Sequence, residues 1–98
     1  MDDDELKVQV VHNRDKSRFE AEVEGKVALL DYVESPGRIV FTHTFTPVGL
    51  RGRGIASQVV YAGLEYARAN NLSVVPQCWF VADYIDGQPE YEVLVKKG

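Results

Sequence analysis

The sequence predicts an α/β fold (α+β in its layout): a mixed, mostly antiparallel sheet with one main helix packed on it. Three observations carry this. Four segments before residue 46 have strand patterning and are joined by short turns. A single amphipathic helical segment, Gly54 to Asn70, follows them. A short apolar stretch, Leu72 to Pro76, comes after that helix, which places it beside the fourth strand and parallel to it.

Met1 to Glu5 is expected to be a disordered acidic tail. Leu6 to His12 alternates, with Leu6, Val8 and Val10 on one face, and reads as the first strand. Asn13-Arg14-Asp15-Lys16 is a polar turn. In Arg18 to Glu24, Phe19, Ala21 and Val23 point one way and Arg18, Glu20, Glu22 and Glu24 the other, a strand with one solvated face. Glu24-Gly25 turns the chain. Lys26 to Glu34 is apolar on both faces, as a central strand is; Ser35-Pro36-Gly37 is a turn, and Arg38 to Phe45 is the fourth strand. Within the helix Ile55, Val59, Ala62, Gly63, Tyr66 and Ala67 recur at helical spacing. Asn70-Asn71 ends it, because Asn tolerates the left-handed conformation found there. Cys78 to Ile85 reads as a second helix stopped by Gly87, and Gln88 opens a last short helix with Pro89 at its first position. The 98 residues form one expected domain, without repeats, low-complexity segments or an internal linker.

Composition excludes several function classes. The chain is 45% hydrophobic and 27% charged, the balance of a globular protein. Its net charge of −4 opposes general nucleic-acid binding, which needs a basic face. One cysteine allows no intrachain disulfide. The start is acidic where a secretory signal is basic and then apolar, and no apolar run is long enough to span a membrane. An intracellular location, cytoplasmic or nuclear, is expected. Two histidines and one cysteine at scattered positions make no metal-ligand set.

The loop between the fourth strand and the helix carries the chemistry. It holds Gly49, Gly52 and Gly54 with Arg51 and Arg53 between them, and no Ser, Thr, Asp or Asn stands just ahead of the helix to cap it. Uncapped N–H groups, the positive end of the helix and two arginines make an anion site, and the glycines let a phosphate approach the backbone. A Walker A loop is rejected, because Ile55-Ala56 stands where Lys-Ser/Thr is needed. The dinucleotide fingerprint is rejected too: Ser57 occupies its third glycine, and hairpins precede the loop rather than a βαβ unit.

Arg51-Gly52-Arg53-Gly54-Ile55-Ala56 resembles the Gln/Arg-x-x-Gly-x-Gly/Ala signature of the GNAT superfamily of N-acetyltransferases. His43-Thr44, Val75-Pro76, Cys78, Phe80-Val81, Tyr84-Ile85 and Pro89-Glu90-Tyr91 are similar to a minimal, stand-alone branch of that superfamily, from about Phe19 onward. The resemblance implies a GNAT-type fold that binds acetyl-CoA. Its pyrophosphate would lie on the loop and its pantetheine arm in a gap between the fourth and fifth strands, bounded by Thr42 to Thr46 and Val74 to Cys78. The implied coenzyme-binding residues are Thr44, Phe45, Thr46, Arg51, Gly52, Arg53, Gly54, Ile55, Ala56 and Ser57. The implied reaction is acetyl transfer to an amine or protein acceptor. A non-catalytic coenzyme A-binding or protein-interaction module is the alternative. The chain departs from the branch at three positions: Phe45 stands where Glu is expected, Trp79 for Pro and Gln88 for His. It also lacks room for the helices that larger members place after the first strand.

Two side chains are catalytic candidates. Cys78, near the expected thioester, is either a nucleophile that relays the acetyl group or a small buried hydrophobe. His43 is a candidate general base, but it alternates in phase with Ile39, Phe41 and Phe45, and that pattern favours a hydrogen-bonded core residue. Trp79, Phe80, Tyr84 and Tyr91 belong either to an acceptor pocket or to the core. Glu20, Glu22 and Glu24 read as a solvated strand face, and His12 carries no functional signal.

Overall fold

β-branched and aromatic residues alternating with polar ones build a five-stranded sheet. The computed structural model describes residues 6–95; the acidic tail at 1–5 lies outside them. Strands β1 (Val11–Asn13), β2 (Arg18–Val23), β3 (Lys26–Ser35) and β4 (Arg38–Phe45) run antiparallel in chain order, and β5 (Ser73–Pro76) joins β4 in parallel. A three-residue 3-10 turn, Arg14–Lys16, is the only element between β1 and β2. Helix α1 (Ile55–Ala69) lies on the sheet, and the short helices α2 (Trp79–Ile85) and α3 (Pro89–Val95) follow β5. Their buried residues, among them Phe41, Leu30, Ile39, Leu64, Val81 and Leu94, form one core.

The first strand is shorter than the alternation suggests. Leu6 to Val10 leaves the ladder because the start of α1 engages its backbone. The Leu6 N–H donates to the Arg53 carbonyl at 3.0 Å, and the Val8 N–H donates to Gln58 Oε1 at 2.9 Å. Gln58 Nε2 in turn donates to the carbonyls of Leu6 and Gly54. Val8 and Val10 still pack on the core. The alternation was a burial signal, and the backbone partner was a helix terminus rather than a strand.

A bulge in β4 overturns the expectation for His43. Asp31 pairs with His43 but the next residue, Tyr32, pairs with Phe41, so Thr42 is an extra residue in β4. One extra residue inverts the facing of everything beyond it. Before the bulge Ile39 and Phe41 are buried; after it Thr44 pairs with Leu30 on the core face, while His43 and Phe45 turn outward and are exposed. His43 is therefore not a core residue.

Helix α1 buries Ile55, Val59, Val60, Gly63, Leu64 and Ala67. Gly63 sits where the helix comes closest to the sheet: a Cβ there would lie 2.8 Å from Leu30 Cδ2 and 3.1 Å from Phe41 Cε1. Helix α3 is tied directly to α1 by Tyr91, whose hydroxyl donates to Glu65, itself paired with Arg68. His12 is half-buried in an aromatic cluster: its ring stacks on Phe19 at 4.1 Å, meets the Tyr66 ring at 4.6 Å, and its Nε2 is 2.6 Å from the Tyr32 hydroxyl. Burial lowers the His12 pKa from its ordinary value and the Arg14 charge lowers it further, against a smaller opposing effect of Glu34.

Two outcomes are expected. Gly63→Ala should lower stability by about 1–3 kcal/mol despite the better helix propensity of alanine, because the methyl group has no space; an unchanged urea midpoint would sink this account. For His12, the lowered folded-state pKa means that the fold favours the neutral ring. Its contribution is present above the unfolded value of about 6.5 and is lost as pH falls through the folded value. The urea midpoint of the natural chain should fall from about pH 7 to about pH 5, and His12→Phe should flatten that fall; an equal slope in both proteins would refute it.

Candidate functional site

β4 and β5 part company at the mouth of the site. Their ladder ends at the pair Phe41 and Pro76, and the Cys78 N–H then donates to the Phe41 carbonyl at 3.0 Å. Pro76 has no N–H with which to extend the ladder. Thr42 to Phe45 consequently runs on without a β5 partner.

A cavity of about 520 Å³ opens between this free stretch and the start of α1. Of the residues the sequence assigns to the coenzyme, Thr44, Phe45, Thr46, Arg51, Gly52, Gly54, Ile55, Ala56 and Ser57 line it, together with Leu50, Trp79 and Phe80. Arg53 does not line it: it is exposed, and its carbonyl accepts the hydrogen bond from Leu6. His43, on the opposite face of the sheet from Thr44, does not line it either.

The loop holds its shape through its own backbone. Val48–Leu50 is a 3-10 turn whose Leu50 is fully buried. The Arg51 Nε donates to the Thr46 carbonyl at 3.0 Å, bracing the loop across its neck. Gly52 and Gly54 have φ of 81° and 75°, a left-handed conformation that a side chain would strain. No side chain caps α1. The first N–H groups of its opening turn lack intrahelical partners, and they lie along the cavity wall. This donor set fits a pyrophosphate.

Cys78, between Pro76 and Trp79 in the chain, does not line the cavity itself but touches Thr44, which does. Its Sγ is 3.5 Å from the Thr44 hydroxyl, so the bulge that turned His43 outward brought Thr44 to the thiol. Burial pushes the Cys78 pKa up. Hydrogen bonding from the Thr44 hydroxyl and from the backbone of Val81, Phe80 and Thr44 outweighs that, and the thiol titrates below its ordinary value. The half-buried sulfur therefore gives up its proton, and becomes nucleophilic, more readily than an ordinary cysteine.

Sequence reasoning missed two participants. Leu50 had one signal, as the large apolar residue of a glycine-rich loop. Gln58, which holds Leu6 and Val8 against the loop, had none. Trp79 was assigned to an acceptor pocket or the core; it is 75% exposed and forms a cavity wall. Among the described residues no three His, Cys, Asp or Glu side chains cluster as a metal site, and no helix is long and apolar enough to cross a membrane.

Comparison with known proteins agrees with this geometry. A family profile described as GCN5-related N-acetyl-transferase matches residues 18–94. Among similar curated proteins, Protein NATD1 of Gallus gallus is 33% identical over 87 residues, covering 84% of this chain and 77% of that one. Protein NATD1 of Mus musculus is 32% identical over 87 residues, with 84% and 77% covered. Protein NATD1 of Homo sapiens is also 32% identical over 87 residues, with 84% and 75% covered. The parted strands, the uncapped helix behind the arginine-glycine loop and a profile match over most of the chain lead to one conclusion: this chain belongs to the GCN5-related N-acetyltransferase family.

Proposed function

We propose that this protein binds acetyl-CoA in the cavity between β4 and α1 and transfers the acetyl group to an amine. The observation that carries the reading is the cavity itself: nine of the ten residues assigned to the coenzyme from sequence line one 520 Å³ space. The pyrophosphate would rest on the backbone of the Gly52–Gly54 turn and the first turn of α1, with Arg51 beside it. The arm would run along the free edge of β4, whose backbone groups past Phe41 have no β5 partner. Acetyl-CoA supplies an activated thioester; the chain supplies position, backbone donors for the oxyanion and a thiol.

Two routes share this site. In one, the acceptor amine attacks the thioester directly. In the other, the Cys78 thiolate attacks it and expels coenzyme A as its thiolate; the neutral amine then takes the acetyl group from Cys78, restores the Cys78 thiolate, and gives up its proton to the coenzyme A thiolate or to water. The Thr44–Cys78 contact favours the relay. A thiol used this way must stay reduced, which suits a cytosolic or nuclear setting.

The non-catalytic reading, in which the cavity only holds coenzyme A, draws on Phe45 and His43. Phe45, where the branch it resembles has Glu, offers no base, and His43 lies on the opposite face of the sheet from Thr44 and its cysteine contact.

Calorimetric titration with acetyl-CoA tests the cavity. Saturable binding is expected for the natural chain, and a loss of at least about tenfold in affinity for Arg51→Glu combined with Arg53→Glu. No binding by a folded natural chain would remove the proposal. The relay has its own test: Cys78→Ala should abolish transfer at saturating acceptor, and Thr44→Val should move the pH midpoint of Cys78 alkylation upward. Full transfer by Cys78→Ala would leave direct attack.

A further inference from the structure

Residues 6–10 lie outside the sheet ladder, yet their backbone is engaged. The Leu6 N–H donates to the Arg53 carbonyl at 3.0 Å. The side-chain amide of Gln58 takes two more groups: its Oε1 accepts the Val8 N–H at 2.9 Å, and its Nε2 donates to the Leu6 carbonyl. A carbonyl and the N–H two residues later are the pair that one residue of a parallel strand would take. Here a single side chain on the opening turn of α1 takes them, and Val8 and Val10 seat the segment on the core. We propose that Gln58 is a positioning residue for the pyrophosphate of the coenzyme, and that residues 6–10 are a strap whose docking and coenzyme binding strengthen one another. The proposal rests on the acetyl-CoA reading of the cavity between β4 and α1.

Two peptide planes carry the effect from strap to cavity. A trans peptide unit is flat, so its C=O and N–H point in opposite directions. The Arg53 carbonyl, held by Leu6, shares its plane with the Gly54 N–H. The Gly54 carbonyl accepts the Gln58 backbone N–H at 3.3 Å and Gln58 Nε2 at 3.2 Å, and it shares its plane with the Ile55 N–H. Both carbonyls are pinned from behind, and the N–H groups of Gly54 and Ile55 are thereby aimed away from the strap. Gly54 and Ile55 line the cavity, and among the described residues neither N–H donates to a protein acceptor.

This stretch needs an outside hold. Gly52 and Gly54 give it more conformational freedom than any other pair of residues would. Among the described residues Gln58 is the one side chain that bonds the backbone of residues 52–54. A pyrophosphate that binds these N–H groups has to order them, and a closed strap orders them beforehand. Linkage makes the effect mutual: the coenzyme must tighten the strap by the factor by which the strap tightens the coenzyme.

Calorimetry with acetyl-CoA and amide exchange followed by NMR test this in the full chain. Gln58→Met keeps the length of the side chain and removes its hydrogen bonds, whereas Leu6→Pro removes the Leu6 N–H and leaves α1 untouched. Each variant should stay folded by far-UV dichroism and bind acetyl-CoA at least about fivefold more weakly than the natural chain. In the natural chain, saturating acetyl-CoA should slow exchange of the Leu6 and Val8 amides at least about fivefold, although neither residue lines the cavity. A clasp with a structural role alone would leave that exchange the same with and without ligand. Unchanged affinity in either folded variant, or unchanged exchange at saturation, would overturn the proposal. If Gln58→Met unfolds, Leu6→Pro and the exchange of the natural chain decide it. Failure of the natural chain to bind acetyl-CoA would instead overturn the reading of the cavity.

Discussion

Pro76 ends a ladder, and much of the site follows from that. The parallel pairing of β4 and β5 runs from Arg38 opposite Ser73 to Phe41 opposite Pro76 and stops. Proline brings no N–H to extend it. The chain then bends: the Gln77 N–H turns back to the Val75 carbonyl, the Cys78 N–H closes on Phe41, and α2 begins at Trp79. The far half of β4 is left with an open edge. That opening leaves a cavity between strand and helix, brings Cys78 level with Thr44, and sets Trp79 between this cavity and a second one.

An opening of this kind is useful only if its other wall stands still. Two features hold α1 in place. Gly63 lets the helix approach Leu30 and Phe41 more closely than any side chain would allow, which fixes the distance between helix and sheet. At the helix start, Gln58 bonds both to the Gly54 carbonyl and to the Leu6–Val8 segment, and Leu6 reaches Arg53. The segment that leaves the sheet before β1 is thus spent on bracing the loop. Uncapped helix N–H groups keep their aim because the backbone behind them is tethered.

The legibility of the fold in the sequence divides along physical lines. Strands with one wet face, the amphipathic α1 and the Asn70 and Gly87 stops depend on local pattern, and they stand close to where pattern puts them. The loop was legible for the same reason: glycines, arginines and a missing cap are local facts. What escaped depends on partners distant in sequence. The bulge at Thr42 comes from the register between β3 and β4, which no period-two count can see, and it turned His43 and Phe45 outward and Thr44 inward. Leu6 to Val10 alternates as a strand does, yet its partners are Arg53 and Gln58, dozens of residues away. The Thr44–Cys78 contact spans 34 residues and required both the bulge and the parting to form.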